Sequence, residues 1–365
     1  MTEQELQELR DAKWRTKGRP IRTVDDAHEF IESVGFCLMY PLRPPVLVPT
    51  FIGAWAGSHE DLPTWQHAYA DPRAKDAMEI AVRTLRQKYA FEAPLFGETD
   101  FLVSASVFPY FYGLVGDRNP RAAIKTTSRS EYSPLAAHVF QAIQKDGPIT
   151  KSCMREMLGG ELSEAALDRA LTELSLKLRI TRVDYRPEHG AFWDVMLRWC
   201  PDEVREGINM SIAEALTALV SKYLECVVAA EQHEVEEFFS TFIGRGRVRE
   251  AINALLAARE FQFTRIGPRT MLCITPPKPT IAAPRRLVRP GQPIARRPGR
   301  KPAPNPGAPT KGTLGTPEPQ SPATPRPSKP VTGLPGAPNP GNVVSISPEA
   351  SAKPTAPEKE RASNE

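Results

Sequence analysis

Three helical stripes followed by a tight hairpin, all within residues 211–275, constrain this chain more than any other feature of its sequence. Ile212, Leu216, Leu219, Tyr223 and Val227 fall on one side of a helix, and Val235 to Phe239 lie on a second, acidic one carrying Glu234, Glu236 and Glu237. Val248, Ile252, Leu255 and Leu256 mark a third helix, and Gly244 and Gly246 break the chain before it. Residues 261–266 and 271–274 then read as short strands joined by Gly267-Pro268-Arg269-Thr270. Three helices and a hairpin in that order predict a winged helix.

Residues 134–200 repeat the order. Leu135, Val139 and Ile143 stripe a first helix ended by Asp146-Gly147-Pro148, Thr150 caps a second, and Leu167, Ala170, Leu171 and Leu174 face inward on a third. Residues 179–185 and 192–199 are expected to be strands, with Trp193, Val195, Leu197 and Trp199 alternating to one face. The third helix of this repeat carries Glu161, Glu164, Asp168 and Glu173, which repel phosphates, so the module is expected to pack on its neighbours.

The N-terminal third is less regular. Thr23 caps a helix striped by Ala27, Phe30, Ile31 and Val34, and Gly35 ends it. Pro41, Pro44, Pro45 and Pro49 force an extended connection, and a second clear helix covers residues 73–89. The aromatic run from Phe101 to Leu114 reads as core, base stacking being the lesser alternative without interleaved cations. Lys17-Gly18-Arg19-Pro20 has the core of a minor-groove hook but reads first as a basic linker.

Beyond residue 275 more than half of the 38 prolines accumulate, which prevents a packed core and predicts a disordered tail with polyproline II character. The tail holds fourteen basic and five acidic residues, a net +9 in a chain of net +4, which leaves the folded part at −5. Uniform attraction to a polyanion is therefore excluded for the folded part. Contact with nucleic acid has to come from local patches or from the tail.

The local patch is well placed. Arg245, Arg247 and Arg249 lead the third helix of residues 211–275, Asn253 follows one turn after Arg249, and Arg269 sits at the tip of the hairpin. Arginine and asparagine are the side chains that pair bidentately with guanine and adenine edges. The plainer alternative is that these arginines balance the acidic second helix. In the tail, Arg285, Arg286, Arg289, Arg296, Arg297, Arg300 and Lys301 form an arm suited to nonspecific phosphate contact, and Pro-rich segments there offer a protein partner a docking strand.

No apolar run reaches the ~20 residues of a membrane span, and the polar N-terminus carries no secretion signal, so a cytoplasmic protein, nucleoid-associated if DNA-bound, is expected. Five scattered cysteines without a CxxC pair argue against a disulfide framework or zinc site and read as small buried residues. Six histidines without ligand spacing suggest no metal, and no cofactor fingerprint is present.

The module order, with the stretches Gly147-Pro148-Ile149 and Phe192-Trp193-Asp194-Val195, resembles the AlkZ/YcaQ family of bacterial DNA glycosylases, built of tandem winged helices. That resemblance implies DNA as partner and excision of alkylated bases as the family's chemistry. The family's Gln-x-Gln or Gln-x-Asp motif would fall in residues 35–41, where Leu38 and Tyr40 replace the two polar positions. An apolar side chain there neither accepts a proton nor steadies a sugar cation. Asp25, Asp26, Glu29 and Glu32 are the nearest substitutes.

The expectation is a mainly α protein with small β-hairpins (α+β) and tandem winged helices ahead of a disordered Pro-rich tail. Its divisions are a helical region at 1–130, open to being a divergent winged helix, winged helices at 131–205 and 206–275, and the tail at 276–365. The expected role is binding double-stranded DNA through the second of those winged helices, as a non-catalytic or divergent relative of the glycosylases. An active glycosylase using other residues and a protein-interaction module without DNA contact are the alternatives.

Overall fold

Strong local signals set most helix starts. Thr2, Thr23, Ser133, Thr150, Ser163 and Ser211 each turn a side-chain oxygen onto a backbone N–H of the first helical turn, and Asp71 does the same ahead of Pro72. The computed structural model describes residues 1–68, 70–93, 100–125 and 132–276. The expected tail, with its seven basic residues from Arg285 to Lys301, lies outside the described residues, all of which belong to one compact unit, Met1–Pro284.

The same connectivity, helix–strand–helix–helix–strand–strand, occurs three times. After a leading helix α1 (Glu3–Lys13), the first copy comprises α2 (Val24–Val34), β1 (Phe36–Leu38), α3 (Phe51–Ala56), α4 (Pro72–Arg86), β2 (Ala90–Ala93) and β3 (Phe101–Ser104), and α5 (Phe108–Val115) follows it. The second comprises α6 (Pro134–Asp146), β4 (Ile149–Thr150), α7 (Lys151–Leu158), α8 (Glu164–Ser175), β5 (Ile180–Arg186) and β6 (Gly190–Val195), with α9 (Met196–Trp199) and α10 (Pro201–Asn209) behind it. The third comprises α11 (Ile212–Val227), β7 (Ala229–Ala230), α12 (Gln232–Ser240), α13 (Arg245–Ala257), β8 (Phe261–Ile266) and β9 (Arg269–Ile274). In each antiparallel sheet the last strand lies between the other two.

That arrangement is the winged helix, and the N-terminal region is a third copy of it. Its sequence hides the pattern because four prolines separate β1 from the short α3. Another difference concerns residues 196–199, expected to extend a strand and found as the one-turn helix α9. There Arg198 reaches back one turn to Asp194, and Pro201 opens the next helix, so the alternation stops at Val195.

Not every copy keeps a core of its own. Copies one and three share one cluster centred on aromatic rings: Phe36 stacks on Phe238 at 5.7 Å and meets Phe111 edge-on at 5.4 Å, while Phe111 meets Phe242 at 5.7 Å. Phe101, Phe108, Phe111 and Tyr112 are fully buried in it, so the aromatic run is core. The second copy keeps its own cluster around Ile143, Met154, Leu171 and Leu174. It is fastened to the first copy by a largely buried guanidinium. Arg182 on β5 lies 2.6 Å from Glu92 and 2.5 Å from Asp100, and the Thr181 hydroxyl donates to the Glu92 carbonyl.

Helix α1 belongs structurally to the third copy. Arg10 is buried and donates to the carbonyls of Val227 and Ala229 on either side of Val228, a β-branched residue held at φ 69°. A left-handed valine costs on the order of 1–3 kcal/mol, so it requires just such flanking bonds.

Candidate nucleic-acid interface

Helix α13 stands third in its winged helix and keeps its outer face open. Val248, Ile252 and Leu255 are buried, whereas Arg245, Arg247, Arg249 and Asn253 are exposed. It begins at Arg245, two residues earlier than the start at Arg247 that the glycines suggested, with Gly246 inside its first turn and Gly244 as its cap.

Its N-terminus is unlike its neighbours'. Gly244 offers no side-chain cap and the first turn holds no acid, whereas α1, α2, α11 and α12 each carry acidic residues there. Two arginines stand instead where the helix dipole favours anions, an arrangement that costs about 0.3–1 kcal/mol per cation until a negative group arrives.

The expected arginines divide into two sets. Arg245 and Arg247 make no ion pair among the described residues, and Asn253 is exposed on the same side. Arg249 by contrast sets its fork on Glu236 of α12, with Nε and Nη2 each 2.9 Å from a carboxylate oxygen. Glu236 is buried, and the hydrogen bond from Arg249 holds its carboxyl below the usual range despite that burial. At the hairpin tip Arg269 lies 3.6 Å from Glu3 and 3.7 Å from Glu231. The balance with the acidic helix is thus what Arg249 displays, and Arg269 adds the leading helix to it.

Two further groups on this surface go beyond those the sequence singled out. Phe263 is 50% exposed and lies on the same side of β8 as buried Phe261 and exposed Arg265, which has no ion pair among the described residues. The alternation Phe261-x-Phe263-x-Arg265 was a legible signal for that face.

In the second copy the equivalent helix α8 is acidic as expected, with Asp168 paired to Lys151 and Glu173 accepting from the Ser133 amide. The hook-like tetrapeptide is spent internally: Lys17 pairs with Asp11 at 2.6 Å and Arg19 with Asp26.

The AlkZ-related family profile matches residues 21–240, more than half of the chain. The protein belongs to the AlkZ-related family. Among solved structures, Streptomyces sahachiroi DNA glycosylase AlkZ superposes with a TM-score of 0.51 over 75% of this chain and 70% of that one, at 11% identity. That degree of likeness speaks for the shared fold. No curated protein matches the chain.

In this AlkZ-related protein the motif position falls on β1 and just after it. Leu38 and Tyr40 are 1% and 2% exposed and sit in the shared core. The four nearby carboxylates have other settings. Asp26 completes the capping box of α2 and accepts from Thr23 and the Arg22 amide, Glu29 pairs with Arg15 at 3.0 Å, and Asp25 and Glu32 face solvent. Burial works against the Asp26 carboxylate, yet hydrogen bonds from Thr23 and Arg22 and the charge of Arg19 keep it below the usual range.

Among the described residues no cluster of three or more His, Cys, Asp or Glu could hold a metal ion, and no helix is long and apolar enough to cross a membrane. Cys37, Cys200 and Cys226 are buried as small apolar residues, whereas Cys153 is exposed on α7.

Proposed function

We propose that this protein binds double-stranded DNA through its third winged helix, as a divergent member of the AlkZ-related family with no glycosylase activity. The observation that carries the reading is the uncapped, acid-free N-terminus of α13 with Arg245 and Arg247 exposed on it. Two fixed cations and free amides at one helix end provide a phosphate site. Arg265 and Phe263 extend the contact along the hairpin, Asn253 reaches toward base edges, and Arg249 joins only by leaving Glu236. The basic arm from Arg285 to Lys301 adds nonspecific phosphate contact.

Anisotropy titration of a labelled duplex tests this. The full chain should bind at ~50 mM salt, Arg245→Ala/Arg247→Ala should lose at least tenfold, and a chain ending at Thr275 should weaken while still responding to those two changes. Equal affinity of the double variant and the wild type defeats the proposal.

The structural match to a DNA glycosylase favours a second reading, excision of an alkylated base by non-standard residues. Abasic-site formation in alkylated duplex by the purified protein, abolished by Asp26→Asn or Glu29→Gln, would establish it. The burial of Leu38 and Tyr40 speaks against it.

A further inference from the structure

Helix α4 occupies in the first copy the place that α13 occupies in the third, yet it cannot lie in a major groove. The β5 strand of the second copy runs along it, fixed by Arg86 to Asp184 at 2.5 Å. What remains between them is a cleft of about 610 Å³, within the roughly 300–1,000 Å³ typical of small-ligand sites.

The two walls come from sequence stretches about a hundred residues apart. On α4 the positions Lys75, Met78, Glu79, Val82, Arg83 and Arg86 form one stripe, beside the stripe of Ala74, Ala77, Ala81 and Leu85 that enters the core. Facing them are Tyr185, Arg186, Pro187 and Glu188 at the end of β5 and its turn. Met78, Val82 and Pro187 give an apolar floor, and the charges sit around it.

The charges around the cleft specify the ligand. Arg86 and Arg186 share the single carboxylate of Asp184, leaving one positive charge over. Arg83 is matched by Glu79, and neither Glu188 nor Lys75 makes an ion pair among the described residues. Arg182 also lines the cleft, but it is met by Asp100 and by Glu92, whose carboxyl burial pushes up to about 8, so that group adds no net charge near neutral pH. The other four cations against three carboxylates leave one positive charge, enough for one phosphate and too little for a duplex backbone. Guanidinium planes and an apolar floor suit a flat aromatic ring.

We propose that this cleft binds a single nucleotide, its base on the Met78, Val82 and Pro187 floor and its phosphate at Arg83 and the Arg86–Arg186 pair, Arg83 and Arg86 lying one helical turn apart on α4. This site is separate from the α13 surface and does not depend on it. The nucleotide comes either free or as one unit of a single strand, the two sharing the same chemistry.

The test uses the full chain and the fluorescence of 2-aminopurine, supplied as the 5′-monophosphate, as the nucleoside, and within a short oligothymidylate. A saturable signal is expected for the monophosphate or the oligonucleotide, at least tenfold weaker for the nucleoside. Arg83→Glu, an exposed position, should weaken binding tenfold or more, and Glu188→Lys should strengthen it about threefold. Preference for the monophosphate identifies a free nucleotide, and preference for the oligonucleotide identifies a strand. With the monophosphate probe, Arg245→Ala/Arg247→Ala should leave the signal unchanged whatever it does to duplex binding. Absence of a saturable signal with both phosphate-bearing probes overturns the proposal, as does indifference to the charge changes at Arg83 and Glu188 with thermal stability preserved.

Discussion

Replacing Arg182 by methionine removes the one cation that stands between two carboxylates at the join of the first and second winged helices. Arg182 is 16% exposed and its partners Glu92 and Asp100 are 3% and 26% exposed, so little water can take its place. Breaking such a buried cluster by removing one member costs about 3–5 kcal/mol. At roughly 2–4 °C per kcal/mol that is a fall in Tm of about 6–20 °C.

The cost should depend on pH in a stated direction. Burial is the chief force raising the Glu92 pKa, opposed by Arg182 and assisted by Asp100. Without Arg182 it rises further, and a group with a raised folded pKa keeps its stability at low pH and loses it as pH climbs through that value. The deficit of R182M should therefore be larger at pH ~8.5 than at pH ~5, by somewhat under ~1 kcal/mol, because pH ~8.5 lies only about half a unit above the wild-type Glu92 value of about 8. Replacing all three groups at once, R182M/E92Q/D100N, should recover most of the loss. Thermal unfolding by near-ultraviolet circular dichroism at the two pH values reads this out. A deficit below ~2 °C, or one equal at both pH values, would refute the reasoning.

Other outcomes follow from the same geometry. Phe36→Ala empties the centre of the aromatic cluster shared by copies one and three, and should cost about 3–5 kcal/mol in urea unfolding while leaving the second copy's own core in place. Burial raises the Asp11 carboxyl, but hydrogen bonds from Lys17, His59 and Gln7 bring it down to about 2. Its contribution, on the order of 2 kcal/mol, is present above pH ~4 and lost as pH falls toward ~2, so the gap between wild type and Asp11→Asn in urea midpoint should close across that window. Glu236→Gln frees the Arg249 fork and should tighten duplex binding severalfold at low salt, measurable by anisotropy.

Sequence periodicity revealed the second and third copies because their helices carry clear apolar stripes, those of the second copy and the first of the third being capped by serine or threonine, and their strands are bounded by turns. It revealed less of the first copy, whose strand β1 has three residues, all buried, and so no alternation. The joined core of copies one and three was invisible for a different reason: Phe36 and Phe238 each look like ordinary members of their own helical or strand pattern, and only the tertiary fold makes them partners. Charge was the hardest to read. Arg245 and Arg249 have the same residue type and sit one turn apart, but the buried carboxylate of Glu236 separates their fates. The α4 cleft was hidden because Lys75, Glu79 and Arg83 alternate in sign, as a solvated helix face does, and its other wall arrives from residues 182–188.

The slope of log K against log salt for duplex binding tests the central claim most directly, because it counts neutralised phosphates and is blind to changes in shape or stability. Each phosphate left without its cation lowers the magnitude of that slope by about 0.9. Arg245→Ala/Arg247→Ala should therefore flatten the line by about 1.8 relative to wild type. Parallel lines for the two proteins would mean that these guanidinium groups never meet the backbone of DNA.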